Sequence, residues 1–304
     1  MRFKAKISKE NLSSLHNVVS SMDRVSHKAA LHLSRNSFKI SLIVDNPDTP
    51  QCFAELAVTH LFQDYKIDSQ SDNAILFEIG LDHLSWALAS GSAAESAQLK
   101  LVKRGTKPCL CFEAYTQSIT AIGVTHDIPI RILPPGNLIY YVPPKSPPPH
   151  VALKLPRGKT MRSLIHKLNT FSKTMFVTAK QAGRLVFRVE HPQVTIKLYC
   201  SSLTPFYPSN LSRETDAGNT ATVKLDVKKL ASILGLTYLP WDDASIFIVH
   251  NSTVLISATL PSFGGMGTDG GAVDFYLPVM LLSGDDDLDE EDECGDADGG
   301  EEEE

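Results

Sequence analysis

The fold of this chain can be inferred from a helical segment that occurs twice. The second copy reads Lys159-Thr160-Met161-Arg162-Ser163-Leu164-Ile165-His166-Lys167-Leu168-Asn169-Thr170-Phe171. Counted from Met161, its apolar residues follow at i+3, i+4, i+7 and i+10, which predicts a helix with one buried stripe. The first copy lies 149 residues earlier and carries its apolar residues at Leu12, Leu15, Val19 and Met22. The chain therefore repeats one structural plan.

The repeat extends to a second pair of helices. Leu84 and Leu88 mark an apolar helix face that recurs 146 residues later at Leu230 and Leu234. In each copy the segments that predict strands outnumber the helices, which favours an antiparallel sheet with two helices on one face, an α+β fold of two pseudo-repeated βα domains. The four helices are predicted at residues 9–26, 81–92, 159–172 and 226–234.

Composition places the domain boundaries. A proline-rich segment at residues 133–149 separates the two copies, and from residue 283 the chain is almost entirely Gly, Asp and Glu. Such a tail cannot bury enough apolar surface to offset the entropy lost on ordering. The sequence predicts a first domain at residues 1–132, a connector at 133–150, a second domain at 151–283 and a disordered acidic tail at 284–304.

The charge is divided between the tail and the body. The net charge is −6, but residues 285–304 hold fourteen acids and no Lys or Arg. Without the tail, 21 acids face 29 bases, so the body is +8. A folded body this basic is a plausible polyanion binder, although ordinary solvated surface charge explains it equally well. The tail is expected either to screen the body from non-specific nucleic acid or to act only as a solubility aid.

The sequence also bounds the compartment. No apolar run approaches the roughly 18 residues of a membrane span, and residues 1–8 alternate like a strand rather than a signal peptide. The five cysteines include no CxxC pair, which favours a reduced intracellular compartment without disulfides.

Four blocks of sequence resemble a known family. The blocks are Met1-Arg2-Phe3-Lys4-Ala5-Lys6-Ile7, Thr125-His126-Asp127-Ile128-Pro129-Ile130, Leu155-Pro156 with Lys159-Thr160-Met161-Arg162-Ser163, and Phe275-Tyr276-Leu277-Pro278. In this order they resemble HUS-one-type subunits of the nine-one-one DNA-damage checkpoint clamp. The block that begins at Thr125 is the most specific. The acidic tail and the loop at residues 264–271 do not belong to the family pattern.

The resemblance implies a DNA-clamp fold and a non-enzymatic role. Subunits of this kind join two others in a heterotrimeric ring around double-stranded DNA, with helices lining the hole and sheets outside. A clamp loader would place the ring on DNA, where it would serve checkpoint and repair proteins. The expected location is the nucleus, with some cytoplasmic protein, and neither a cofactor nor a membrane is implied.

The basic residues of the second-half helices are the predicted DNA-facing surface. A helix that is apolar beneath and basic above suits contact with a phosphate backbone without sequence preference. A plain solvated face is the alternative, and the resemblance favours DNA. The predicted DNA-facing residues are Lys159, Arg162, His166, Lys173, Lys228 and Lys229.

Two further surfaces follow from the resemblance. A partner pocket is predicted between the connector and the last strand, at Leu133, Leu138, Val142, Leu277 and Pro278, although the connector could instead pack closed on its own sheet. Rings of this type close by pairing edge strands of neighbouring subunits. The predicted edge strands contain the interface residues Cys109, Leu110, Cys111, Phe112, Met175, Phe176 and Val177.

The remaining motifs favour structural roles. On a strand, His126 and Asp127 point to opposite faces and have no further metal ligands at workable spacing. Cys109 and Cys111 read as small buried side chains. The glycines Gly265, Gly267 and Gly270 match a dinucleotide motif, but a strand rather than a helix is predicted next. We therefore predict neither a catalytic site nor a metal site.

Three other functions compete with the checkpoint clamp. A homotrimeric replication clamp shares the fold, and a stable homotrimer would favour it. An acidic-tailed histone chaperone would bind histones with its tail and would need no ring. A nuclease has the least support, because no closely spaced carboxylate motif of a catalytic site appears in the sequence.

Overall fold

The computed structural model describes residues 1–46, 48–116, 122–155, 158–206, 219–236, 239, 244–260 and 270–282. Most of the glycine-rich motif, including Gly265 and Gly267, and the acidic tail lie outside these residues. So does the side chain of Lys159, although its backbone belongs to a helix.

The first half contains nine strands and three helices within the described residues. They are β1 (Arg2–Ser8), α1 (Lys9–Asp23), β2 (Lys28–Leu33), β3 (Ser37–Leu42), β4 (Gln51–Ala57), α2 (Val58–Leu61), β5 (Asp64–Asp68), β6 (Ile75–Gly80), α3 (Leu81–Ser90), β7 (Ser96–Arg104), β8 (Lys107–Thr116) and β9 (Ile122–Ile132).

The connector contains a short 3-10 helix at Pro135–Tyr141. The described elements of the second half are β10 (Val151–Lys154), α4 (Gly158–Leu168), β11 (Thr174–Lys180), β12 (Arg184–His191), β13 (Val194–Cys200), β14 (Thr220–Asp226), α5 (Val227–Leu234), β15 (Ala244–Val249), β16 (Thr253–Leu260), β17 (Gly271–Leu277) and β18 (Val279–Met280).

The described strands pair antiparallel in two sheets. One has thirteen strands in the order β10-β15-β16-β17-β4-β3-β2-β6-β9-β8-β7-β1-β5, and the other has five in the order β13-β12-β11-β14-β18. The long strand β9 changes partner along its length, from β8 at Ile122–Pro129 to β6 at Ile130–Ile132. Because β17 pairs with β4, the large sheet crosses from the second half to the first.

Gly271 makes that crossing possible. It has φ +125°, and a Cβ atom there would lie 2.1 Å from the carbonyl oxygen of Glu55 in β4. A residue with a side chain would be strained at this φ, and its Cβ atom would clash with the carbonyl oxygen. The glycine therefore lets β17 begin directly against the first half.

The helices pack in two pairs, α1 with α3 and α4 with α5. The apolar stripe predicted for α1 is confirmed, since Leu12, Leu15, Val19 and Met22 are each at most 1% exposed. Hydrogen bonds at Asn11 fix the start of this helix. Its backbone N–H donates to Ser8 Oγ, and its side-chain amide donates to the carbonyl oxygens of His60 and Leu61.

The helix α4 is shorter than predicted. Met161, Ile165 and Leu168 are buried as expected, but the helix ends at Leu168 and Phe171 is 46% exposed. The backbone N–H of Phe171 bonds the carbonyl of Leu168, three residues back, so the chain turns before the stripe reaches i+10. Burial of Phe171 was therefore a wrong prediction.

Candidate nucleic-acid interface and strand edges

Five of the six basic residues predicted to face DNA lie on the α4–α5 helix pair. On α4, Met161 and Ile165 point into the core, whereas Arg162 is half-buried and His166 is exposed. On α5, Lys228 is exposed and Lys229 is half-buried. The exposed Lys173 follows α4, just before β11.

Charge on this helix pair has one sign. The sequences of α4 and α5 contain five Lys or Arg residues and no Asp or Glu. Asp226, just before α5, uses its carboxylate to accept the backbone N–H of Lys229 at 3.1 Å, which caps the helix. The outer side of the pair is therefore suited to contact with a polyanion.

The α1–α3 pair has a different surface. Its helices meet through a hydrogen bond between Ser20 Oγ and Ser85 Oγ at 2.9 Å, and His16 bonds Ser20 at 3.0 Å. Partial burial lowers the pKa of His16, so it is neutral at physiological pH. This pair carries far less positive charge than α4–α5, since α3 has no Lys or Arg.

Trp86 is a candidate nucleic-acid contact that was not predicted from the sequence. It lies on α3 with 68% of its surface exposed, edge-on to His83 with ring centroids 6.0 Å apart. A large exposed aromatic side chain is unusual on a helix whose other face is fully buried. The signal was present in the sequence, because Trp86 lies two residues from both Leu84 and Leu88 and so falls off the apolar stripe.

The strands predicted to form subunit edges are interior strands, and that prediction was wrong. The strand β8, which holds Cys109, Leu110, Cys111 and Phe112, pairs with β7 on one side and β9 on the other. The strand β11, which holds Met175, Phe176 and Val177, pairs with β12 and β14. The backbone N–H and C=O groups of both strands are already hydrogen-bonded within the chain, so neither strand can pair with a strand of a neighbouring subunit.

Free edges occur elsewhere in the described part of the chain. The segment of β9 that pairs with β8 has no strand on its other side, and β13 ends the five-stranded sheet. On β13, Val194 is 45% and Tyr199 40% exposed. The strands β5, β10 and β18 are the other sheet ends.

The connector is packed against the first-half sheet. Leu133 is buried with Ala30 and Leu76, and Leu138 and Tyr141 pack partly against them. Val142 is 49% exposed.

Hydrogen bonds hold the end of the connector. Ser41 Oγ donates to the Tyr141 carbonyl at 2.7 Å, and the Tyr141 hydroxyl donates to Glu78 at 3.1 Å. Arg131 pairs with the Glu78 carboxylate and lowers its pKa.

The predicted partner pocket does not form as one surface. Leu277 is 4% exposed and belongs to the main core, so its side chain does not join the cluster of Leu133, Ala30 and Leu76 at the connector. Pro278 is half-buried. The side-chain alternation of β17 turns Tyr276 outward instead, where its ring meets Phe53 at 5.7 Å. Including Leu277 was an error of strand phase.

The other motifs are structural in the described residues. Asp127 pairs with Arg104 at 2.8 Å, which lowers the pKa of the carboxylate, while His126 bonds Ser90 Oγ at 2.9 Å. Within the described ranges, no group of three or more His, Cys, Asp or Glu residues could hold a metal ion. Among the same residues, no helix has the length and apolar character to cross a bilayer.

Comparison with known proteins gives a consistent result. The family model for the Hus1-like protein matches residues 1–280. Checkpoint protein hus1 of Schizosaccharomyces pombe is 28% identical over 249 residues, which cover 78% of this chain and 85% of the relative. The Dictyostelium discoideum checkpoint protein hus1 homolog is 25% identical over 92% of this chain and 99% of its own. Human checkpoint protein HUS1 is 27% identical over 208 residues, which cover 66% of this chain and 74% of the human protein.

Solved structures confirm the predicted DNA-clamp fold. PCNA from Thermococcus kodakaraensis superposes with a TM-score of 0.66 at 14% identity, covering 91% of this chain and all of that one. Proliferating cellular nuclear antigen from Entamoeba histolytica gives a TM-score of 0.65 at 13% identity, covering 92% and 99%.

Proposed function

The chain belongs to the Hus1-like family, and from this membership we propose how its surfaces serve a checkpoint clamp. It is a checkpoint clamp subunit with the fold of PCNA, a reading that the family match favours over a replication clamp or a histone chaperone. Its role is that of a non-catalytic scaffold in a multi-subunit ring. We further propose that it joins two other subunits in the ring, is placed on DNA by a clamp loader, serves repair and checkpoint proteins, and acts in the nucleus.

Double-stranded DNA is the proposed ligand of the α4–α5 surface. The observation that carries this assignment is five Lys or Arg residues on two packed helices with no acidic residue on either. Contacts of this kind reach phosphates and do not read base sequence. The weakly charged α1–α3 pair would add little, so DNA would lie closer to the second half of this subunit.

The free edges of β9 and β13 are the proposed subunit joints. A first-half edge of one subunit would pair with a second-half edge of the next. The β5 edge suits this role less well, because it carries Asp64, Lys66 and Asp68 in five residues. Charged side chains on an edge discourage pairing with another strand. The strand β13 has seven residues and exposes apolar side chains, which favours a joint.

Salt-dependent DNA binding by the assembled ring tests this function. The chain is co-expressed with candidate clamp subunits, and Arg162 and Lys228 are replaced by alanine. Each lost phosphate contact should reduce the slope of log affinity against log salt by about 0.9. The matched control replaces Lys103 and Lys145, two exposed cations outside the helix pair, and should leave the slope unchanged. An unchanged slope in the helix variant would place DNA elsewhere.

A further inference from the structure

The outer face of the five-stranded sheet is basic. Alternation along its strands sends Val177, Phe187 and Val223 into the core and turns the intervening residues outward. On this outward face are five cations and two acids, namely Lys180, Arg184, Arg188, Lys197, Lys224, Glu190 and Asp226. Asp226 caps α5, and Glu190 pairs with Arg188 at 3.1 Å. Among the described strands, this face therefore carries more basic than acidic side chains.

Three of these cations lie in one row across the sheet. The register places Lys197 opposite Arg188, Arg188 opposite Phe176, and Phe176 opposite Lys224. Arg188 and Lys224 both stack on the Phe176 ring, at 4.6 and 4.9 Å from its centroid, and reduce its exposure to 3%. A polyanionic segment that crossed the sheet along this line would meet all three cations.

The guanidinium of Arg188 is not fully hydrogen-bonded within the described residues. The Nε atom of Arg188 is buried and has no hydrogen-bond partner among the described residues. A buried N–H group without an acceptor is costly, more so on a charged group. The Glu190 carboxylate reaches only the terminal nitrogen of the same guanidinium.

The end of the described chain lies beside this row. Met280 in β18 pairs with Lys224, and two residues later the backbone N–H of Leu282 donates to Asn251 Oδ1 at 3.0 Å. The first acid, Asp285, follows three residues after this anchor, and fourteen acids follow by residue 304. The row from Met280 to Lys197 crosses four strand spacings, about 19 Å. Twenty-two further residues can extend to about 70 Å, so the tail spans the row easily.

We propose that the acidic tail of this chain docks on the outer face of its own second-half sheet, over the row formed by Lys224, Arg188 and Lys197. Tethering gives the tail an effective concentration on the order of millimolar, so weak charge pairs suffice. In this arrangement the tail leaves the α4–α5 helices uncovered. It therefore differs from the alternative in which the tail screens those helices from nucleic acid. The docked tail also lies over β13, the strand that we assign to the subunit joint.

Fluorescence anisotropy of the full chain tests the docking. Cys294 lies in the tail, whereas Cys52, Cys109 and Cys111 are buried, so a Cys200→Ser background directs a dye to the tail. We expect high anisotropy at low salt and a fall to the value of a free tail near 1 M salt, where the screening length is about 3 Å. The double variant Lys197→Glu, Lys224→Glu should show the free-tail value already at low salt.

The matched control carries the same charge change on the helix side. Lys228→Glu with Lys229→Glu should leave the anisotropy of the dye unchanged. If only the helix-side variant frees the tail, or if salt has no effect on the parent protein, the proposal is wrong.

Carbodiimide cross-linking of the unmutated chain gives a second readout that does not depend on the variants folding. Tail carboxylates should link to Lys197 and Lys224. Links confined to Lys228 and Lys229 would overturn the proposal.

Discussion

Gly271→Ala tests whether the crossing between β17 and β4 holds the two halves of the subunit together. The new Cβ atom would lie 2.1 Å from the Glu55 carbonyl oxygen, a backbone atom that cannot move aside without disturbing β4. The φ of +125° adds strain of about 2 kcal/mol for a residue other than glycine. Loss of backbone hydrogen bonds where β17 shifts from β4 adds about 1–2 kcal/mol. We expect a total loss of about 3–4 kcal/mol in the free energy of unfolding.

Two other glycines serve as graded controls. Gly105 has φ +61° with nothing within 4 Å of an added Cβ atom, so Gly105→Ala measures backbone strain alone, about 1 kcal/mol. Gly136 has open space and no positive φ, so Gly136→Ala should change stability by less than about 0.5 kcal/mol.

Urea unfolding of the three variants, followed by circular dichroism, gives the comparison. Because the crossing orients one half against the other, Gly271→Ala should also reduce recovery of the assembled ring with its partners. Equal losses for Gly271→Ala and Gly105→Ala would refute the argument, because the clash with Glu55 would then contribute nothing.

Three further predictions address the joints, the DNA surface and pH. Replacing Val194 and Tyr199 by lysine should reduce co-purification of ring partners without lowering the melting temperature, whereas the same change at the exposed Ile139 and Tyr140 should not; equal recovery of both variants would contradict the β13 joint. In a Trp241→Phe background, the fluorescence emission of Trp86 in the assembled ring should fall when DNA with a single-stranded end is added, because the indole stacks on a base. The emission should fall less with blunt duplex DNA, and identical responses to the two DNAs would exclude stacking. Glu78 has a pKa lowered by Arg131, so its contribution is present above the unfolded pKa and is lost as pH falls through the folded value; Glu78→Gln should flatten the acid side of a stability–pH profile, and an unaltered profile would show that the pair contributes nothing.

The core of the fold was predictable from sequence because burial imposes a period. Leu12, Leu15, Val19 and Met22 had to be buried together once they shared a helix face, and they are. The predicted burial of Phe171 was wrong because the helix ends in a turn before this residue. The spacing of apolar residues does not determine where a helix ends.

Strand order was not predictable to the same degree. Alternation identifies β8 and β11 as strands but does not say how many neighbours each has. Edge status is a property of long-range pairing, which depends on the whole topology. For the same reason the placement of Leu277 needed the register of β17, since a shift of one residue exchanges it with Tyr276 on the outer face.

The two halves show which features a pseudo-repeat keeps. Both preserve the buried positions of their helices, since each pair must cover a sheet with apolar side chains. Their other residues differ, with five Lys or Arg residues in the sequences of α4–α5 and an exposed tryptophan on α3. Core packing constrains only the buried face, so the exposed face is free to acquire a separate task. In this subunit positive charge is found on both sides of the second half, on the helices that we propose for DNA and on the outer sheet that we propose for the tail. A tail held on the outer sheet would not compete with DNA for the helices.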